Sequence, residues 1–161
     1  MADTTVGPDG ALTGALAGAF TEKTYHDAIA LVSEVVSYLE NQGIADRDAL
    51  DPQGRTIFAA ESMRLTTRLM QVVSWFLTQR AVQSGELTQE QANDPSNRLG
   101  AVDLCLNEGM QGVENLPAGI RDLLNRSHGL FEQVCRVEAM MLKERDGAAS
   151  PVHRLLDRLE H

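Results

Sequence analysis

The residues of this chain best suited to metal chemistry lie close together on one predicted helix. His128 and Glu132 are one helical turn apart, and Cys135 follows three residues later. An imidazole nitrogen, a carboxylate and a thiolate so arranged could begin a metal site. A metal centre in a helical bundle needs further ligands from a second helix, usually with an ExxH motif, and the sequence offers neither. A metal-dependent bundle enzyme built on these three residues is therefore only an alternative hypothesis, and we expect no bound metal.

The two cysteines, Cys105 and Cys135, are the candidate nucleophiles. Neither lies at a predicted helix N-terminus or beside a base in the sequence, so an activated thiolate is not indicated. Their apolar surroundings and the lack of CxxC spacing predict reduced thiols in a cytosolic protein. The sequence also lacks a GxSxG motif, a phosphate-binding glycine loop and a dinucleotide fingerprint. We therefore predict that the protein is not an enzyme and holds no cofactor.

Charge and hydropathy argue against binding to nucleic acid, secretion and insertion in a membrane. Fourteen Lys and Arg residues against 23 Asp and Glu residues give a net charge of −9, which disfavours binding to the phosphate backbone of nucleic acids. The N-terminus lacks the basic region of a secretory signal, and no apolar run reaches the roughly 20 residues of a membrane span. The sequence predicts a cytoplasmic protein that binds neither nucleic acid nor membrane.

Residues suited to protein recognition lie on one predicted helix that includes the apolar stretch 61–82. Trp75 aligns along this helix with Ile57, and Arg64 and Arg68 flank it. Because Trp and Arg are enriched among the residues that dominate binding energy, these four predict a protein-binding or dimer surface. In the alternative interpretation, Trp75 seals the edge of the protein's own core.

Three long helices are predicted to position these residues. Apolar residues at helical spacing predict the first helix over about 21–42, the second over 55–84 and the third over 117–146. The second helix contains neither Gly nor Pro and would be roughly 45 Å long. The predicted fold is all-α, an antiparallel three-helix bundle with the second helix as its long central member.

Two apolar stripes and one polar strip run along the second helix. The first apolar stripe consists of Leu65, Leu69, Val72 and Phe76. The second consists of Met63, Met70, Val73 and Leu77. The remaining, polar strip consists of Arg64, Thr67, Arg68, Gln71, Ser74 and Thr78. One neighbouring helix cannot cover both apolar stripes, so we expect this helix to pack between two neighbours.

The sequence divides into three parts around this bundle. Residues 1–19 are rich in Gly, Ala and Thr and are predicted to be disordered, residues 20–146 form the helical domain, and residues 147–161 form a flexible tail. Within the domain, a Thr88/Gln91 capping box predicts about two turns of helix in residues 87–93, and residues 99–115 are predicted to form a packed loop or a frayed helix. The tail contains a short amphipathic segment, too short to be helical alone, whose apolar residues are a candidate protein-binding site: Val152, Leu155, Leu156 and Leu159.

Two blocks of sequence resemble a known family. "ESMRLTTRLMQVVSWFLTQRAVQSGELT", residues 61–88, and "LPAGIRDLLNRSHGLFEQVCRVE", residues 116–138, are similar to the RcdA family (regulator of CtrA degradation) of α-proteobacteria. The likeness covers about residues 20–145. Phe131 stands where this family leads us to expect Tyr, a departure that removes one hydroxyl group.

The resemblance implies a three-helix bundle that forms a homodimer and acts as an adaptor for the ClpXP protease. In that family a response-regulator adaptor (CpdR) primes the ClpX unfoldase, the RcdA protein joins it, and cargo such as a cell-cycle transcription regulator is then tethered. A location at a cell pole beside the protease is compatible with this role. The alternative hypothesis is a scaffolding or regulatory dimer, for example one associated with transcription, that has no connection with proteolysis.

Overall fold

The protein is described here from a computed structural model, which covers the backbone of residues 8–148 and the side chains of residues 18–144. This part of the chain contains helices and no strands. The α-helices are α1 (Pro8–Glu40), α2 (Gln42–Asp48), α3 (Pro52–Gln83), α4 (Gln89–Ala92), α5 (Val102–Leu106) and α6 (Ala118–Ala148). Two short 3₁₀ helices, Pro95–Asn97 and Val113–Asn115, lie between α4 and α6.

The long helix α3 is continuous, as the sequence predicts. It begins at Pro52, where the missing amide hydrogen costs nothing, and the Asp51 carboxylate accepts a hydrogen bond from Gly54 N at 2.7 Å. It ends where Gly85 adopts a positive φ of 80° and Glu86 N donates back to Ala81 O, a common way for a helix to stop. The predicted central helix is confirmed.

Helix α1 begins earlier than the sequence predicts. Its first residue is Pro8 rather than about Thr21, so residues 8–19, predicted to be disordered, are helical. Ala and Leu, which favour helix, recur between the glycines of this stretch, and extending an existing helix costs less than starting one. Residues 1–7 and 149–161 lie outside the described residues, and so do the tail residues Val152, Leu155, Leu156 and Leu159.

Two clusters of buried residues show how the three long helices run. One cluster contains Leu31, Val35, Ile57, Phe58, Leu65, Leu69, Leu116, Ile120, Leu123 and Leu124. The other contains Ala28, Val72, Trp75, Phe76, Leu99, Cys105, Phe131 and Val134. From the first cluster to the second, residue numbers rise along α3 and α6 and fall along α1. Helix α1 is therefore antiparallel to both, whereas α3 and α6 are parallel.

Any antiparallel bundle of three helices contains one parallel pair, and here the pair is α3 and α6. Residues 84–117, the return segment, make this possible because they carry the chain back along the bundle. This segment is packed, as predicted, since it contributes Leu99, Cys105 and Leu116 to the core. The predicted capping box of α4 is confirmed: Gln91 N donates to Thr88 Oγ1, and Thr88 N donates to Gln91 Oε1.

The burial of α3 confirms one predicted apolar stripe and contradicts the other. Leu65, Leu69, Val72 and Phe76 are all buried against α1 and α6. In the second stripe, Met63, Met70 and Leu77 have 73%, 67% and 51% of their surface exposed. The prediction fails because the return segment packs against the polar strip of α3 and not against the second apolar stripe. Polar side chains of that strip form hydrogen bonds with backbone groups of the return segment.

Candidate functional site

Four polar residues of α3 hold the return segment in place. Glu61, Arg64, Arg68 and Gln71 follow one another at intervals of three, four and three residues, which places them on one side of the helix. We call these residues the polar row. Each of them makes a hydrogen bond to the backbone of the return segment.

The first two members of the polar row form a buried ion pair. Arg64 Nη2 and Nε lie 2.5 Å and 3.1 Å from Glu61 Oε2, and the two residues are 8% and 1% exposed. Met110 N donates to Glu61 Oε1 at 2.8 Å, and Arg64 Nη1 donates to Asn107 O at 2.9 Å. A buried ion pair adds little net stability because its charges lose their hydration. Its hydrogen bonds do, however, fix where the return segment lies.

Arg68 connects the return segment with α6. Its Nε donates to Cys105 O at 2.7 Å, and its Nη1 lies 3.3 Å from Leu124 O and 3.4 Å from Ser127 Oγ. Burial, and secondly the charge of Arg64, lower the pKa of the Arg68 guanidinium. Burial also raises the pKa of the Cys105 thiol. Cys105 is fully buried, and its surroundings disfavour the thiolate form that a nucleophilic cysteine uses.

The last member of the polar row completes an antiparallel register. Gly100 N donates to Gln71 Oε1 at 2.8 Å. As α3 advances from residue 61 to residue 71, its partners therefore step back from residue 110 to residue 100. This register explains why Arg64 and Arg68 interrupt an otherwise apolar helix. They donate hydrogen bonds to carbonyl groups of the return segment, which has no long helix to supply those bonds itself.

The residues considered for metal chemistry do not converge on a site. His128 Nε2 lies 3.2 Å from Leu106 O, and its Nδ1 lies 3.8 Å from a Glu132 carboxylate oxygen. Cys135 packs against the core beside Phe131 and Val134. In the part of the chain with described side chains, no three His, Cys, Asp or Glu residues are placed so that they could hold a metal ion. Likewise, no helix within residues 8–148 is long and apolar enough to cross a bilayer.

A cleft of about 380 Å³ lies between the return segment and α6. Three arginines and three glutamates line it: Arg64, Arg68, Arg121, Glu61, Glu108 and Glu114. The lining therefore contains both signs of charge in equal number.

The four residues predicted to form a protein-binding or dimer surface are inside the protein. Ile57, Arg64, Arg68 and Trp75 are 7%, 8%, 3% and 3% exposed. The prediction of an exposed surface is therefore wrong for the folded protomer. Trp75 packs edge-to-face on Phe76 at 5.2 Å between ring centroids, as in the alternative interpretation, and both arginines are occupied by the return segment.

The apolar surface that α3 does expose lies on its opposite side. The outer face of α3 consists of Ala59, Met63, Thr66, Met70, Val73 and Leu77. Their spacing of 4-3-4-3-4 is that of the contact positions of a coiled coil. The sequence contains this spacing, but only burial shows which of the two apolar stripes is left uncovered.

Helix α1 also exposes two large apolar residues. Ile29 and Val36 are seven residues apart and are 37% and 48% exposed. Four residues before Ile29, Tyr25 packs on Phe76 of α3 at 6.1 Å between ring centroids. Helical spacing places Ile29 and Val36 on the same side of α1 as Tyr25, which contacts α3.

Comparisons with known proteins agree on one family. The model of the DUF1465 family, described as "Protein of unknown function", matches residues 14–161. The crystal structure of RcdA from Caulobacter crescentus CB15 is similar at 36% sequence identity with a TM-score of 0.59, over 75% of this chain and 89% of that chain. No curated protein sequence matches significantly. The chain therefore belongs to the DUF1465 family, the family of RcdA-type proteins.

Proposed function

We propose that this protein is a non-enzymatic adaptor that tethers selected substrates to the ClpXP protease in cell-cycle-regulated proteolysis. It would act in the cytoplasm together with a response-regulator adaptor of the CpdR kind. The observation that carries the proposal is the 36% identity with RcdA over three quarters of the chain. The two similar sequence blocks support it physically, since the first contains the whole polar row.

Tethering needs binding surfaces on a rigid frame and no chemistry. It raises the effective concentration of cargo beside the protease, so several weak contacts can act together. The polar row makes the frame rigid, because it fixes the return segment on α3 and α6. The exposed apolar residues of α3 and α1 then provide contact surface at little ordering cost.

The homodimer in this proposal would form through the outer face of α3. A second copy can supply the same coiled-coil contact positions, and a self-complementary surface produces a closed dimer. The candidate tail residues Val152, Leu155, Leu156 and Leu159 would form one weak arm of the cargo or partner contact.

A reconstituted degradation assay tests the adaptor role. ClpX, ClpP, the CpdR-type regulator and a fluorescent candidate cargo are mixed with and without this protein, and cargo loss is followed. We expect the protein to increase the degradation rate in a saturable way that requires the CpdR-type regulator. Deleting residues 149–161 should leave the helical content unchanged and reduce delivery of cargo.

The second candidate function is a scaffolding or regulatory dimer without a protease. The apolar outer face of α3 favours it equally, because self-association does not require proteolysis. In that case the degradation rate stays unchanged at every concentration of the protein, and pull-downs recover neither the unfoldase nor the CpdR-type regulator. Those two results together would reject the adaptor proposal.

A further inference from the structure

The return segment exposes a second group of large apolar side chains, away from the outer face of α3. Val102, Leu104, Leu106 and Met110 are 36%, 53%, 36% and 43% exposed. We call these four residues the α5 ridge. Between them, Cys105 is fully buried, so α5 is anchored by one side chain while the others face solvent. Exposed apolar residues concentrated in nine positions are unusual unless they bind something.

The backbone beneath the ridge is held on several sides. Cys105 O and Asn107 O accept hydrogen bonds from the two buried arginines of the polar row. Leu106 O lies 3.2 Å from His128 Nε2 of α6, and Met110 N donates to the buried Glu61 carboxylate. The ridge is therefore a preorganised surface, which a partner can bind without first ordering a loop.

The charged residues of the segment that carries the ridge are acidic. Residues 99–120 contain three acidic residues, Asp103, Glu108 and Glu114, and no Lys or Arg. All three are exposed. Of the charged residues that line the nearby cleft, Glu61, Arg64 and Arg68 are buried. Glu108, Glu114 and Arg121 are exposed, so two carboxylates and one guanidinium of the cleft face solvent. A partner that approaches the ridge from solvent therefore meets apolar side chains beside carboxylates.

We propose that the α5 ridge is a docking site for a basic amphipathic helix of a partner protein. Apolar residues of that helix would cover Leu104, Leu106 and Met110, and its Lys or Arg residues would meet Asp103 and Glu108. Charge complementarity of this kind steers association and selects the partner. The inference rests on the proposed function only in that it assumes a protein-binding role, and it applies to an adaptor and a scaffold alike.

Two other occupants fit the ridge less well. A second copy of the chain would place Asp103 and Glu108 against like charges across a two-fold interface, which opposes binding. A membrane surface rich in anionic lipid would repel the same carboxylates. The outer face of α3 is free of this constraint, since its six residues carry no charge, and is better suited to self-association.

A peptide titration tests the ridge directly and without the protease. The probe is a fluorescein-labelled model helix of about 18 residues that contains Leu on one face and Lys on the other. Its fluorescence anisotropy is followed as the full-length protein is added, at about 50 mM and about 500 mM NaCl. We expect saturable binding that weakens at the higher salt concentration.

Matched variants assign the binding to the ridge. Replacing two exposed residues, as in Leu104→Gln/Leu106→Gln, should raise the Kd about tenfold, whereas Ile44→Gln/Met140→Gln, at exposed apolar sites of α2 and α6, should change it less than about twofold. Asp103→Asn/Glu108→Gln leaves the apolar residues in place and should reduce the salt dependence. This charge variant keeps the test valid if the leucine variant is poorly folded.

Three results would overturn the proposal. They are equal binding by the ridge and control variants, an unchanged salt dependence in the charge variant, and loss of self-association on substituting the ridge, which would assign the ridge to a second copy. Because ClpXP is absent from this titration, failure here leaves the degradation assay of the adaptor proposal unaffected.

Discussion

At the scale of single residues, Arg68 joins three parts of the chain. It binds a carbonyl of the return segment and lies within hydrogen-bonding distance of two oxygen atoms of α6. With Arg64 and Glu61 it forms a buried group in which two positive charges face one negative charge. Such groups contribute specificity of position rather than net stability, but removing one member leaves polar atoms without partners.

The first prediction concerns this group. Arg68→Met keeps much of the side-chain volume but removes the donors to Cys105 O and Ser127 Oγ, so it should lower the free energy of unfolding by about 2 kcal/mol, the usual cost of a buried acceptor without a partner. Arg126→Met is the control, since Arg126 bonds Glu34 on the exposed surface and solvent screens such pairs. Urea unfolding measures both, and equal effects of the two variants would contradict the assigned role of Arg68.

The second prediction concerns pH. Burial raises the pKa of the Cys135 thiol from 9.0 to about 11. Between these values the unfolded thiol ionises while the folded thiol stays protonated, so the free energy of unfolding falls as pH rises. Below pH 9 both states are protonated and the group contributes no pH dependence.

Urea unfolding of the wild type and of Cys135→Ala, at pH 8 and near pH 10.5, checks this. The wild type should lose more stability than the variant over this interval. Tyr38, whose pKa is also raised by burial and by its hydrogen bond to Asp46, is present in both proteins and therefore cancels in the comparison. Identical losses would show that the Cys135 thiol is accessible to solvent.

At the scale of elements, the return segment requires a glycine at position 109, where its backbone comes close to the side chain of Arg64. Gly109 has a positive φ of 107°, and a Cβ atom added there would collide with Arg64 Nη2. Gly129 differs in both respects, because it lies on the exposed side of helix α6 with no atom near its added Cβ. The two glycines therefore form a matched pair.

The third prediction follows from this pair. Gly109→Ala should destabilise the protein by about 2 kcal/mol, because it strains the backbone and displaces a buried arginine. Gly129→Ala should stabilise it by about 0.5–1 kcal/mol, the usual gain in a helix interior. Thermal unfolding measures both, and limited proteolysis should show faster cleavage near residue 109 only in the first variant. A stable Gly109→Ala protein would mean that Arg64 does not hold the segment.

At the scale of the whole molecule, the bundle buries one apolar stripe of α3 and leaves the other open. Met63, Met70 and Leu77 are exposed over more than half of their surface, and α1 exposes the apolar residues Ile29 and Val36. An apolar face of this length on an otherwise acidic protein favours a partner, and the coiled-coil spacing favours another helix.

The fourth prediction tests that partner as a second copy. Met70→Glu should convert a dimer to a monomer in sedimentation velocity and weaken self-association about a hundredfold or more, because each copy contributes a charge to the same apolar contact. Met140→Glu, on α6, is the control, since Met140 is also exposed at 58%. Wild-type protein that sediments as a monomer at all concentrations would reject the outer face of α3 as a dimer surface.

The sequence alone determined the three long helices, apart from the start of α1, and the family. The helical periodicity, the run of residues 55–84 without Gly or Pro and the capping box at Thr88 are local features of the sequence. The two RcdA-like blocks are inherited features, and neither kind requires coordinates to be recognised. The first apolar stripe of α3 was readable for the same reason, since a continuous row of large aliphatic and aromatic residues on one side of a long helix has to be buried.

Only the tertiary structure decided which faces of α3 are covered. Periodicity places Arg64 and Arg68 on a polar strip, where solvent is the simplest surrounding, and it places Met63 and Met70 on an apolar one. In the folded protein the arginines are buried and the methionines are exposed. The arginines are buried because they form hydrogen bonds with the backbone of the return segment. Met63 and Met70 are exposed because no element in the described part of the protomer packs against the opposite side of α3. Burial of a side chain depends on what packs against it, and that partner lies some 40 residues away in the sequence.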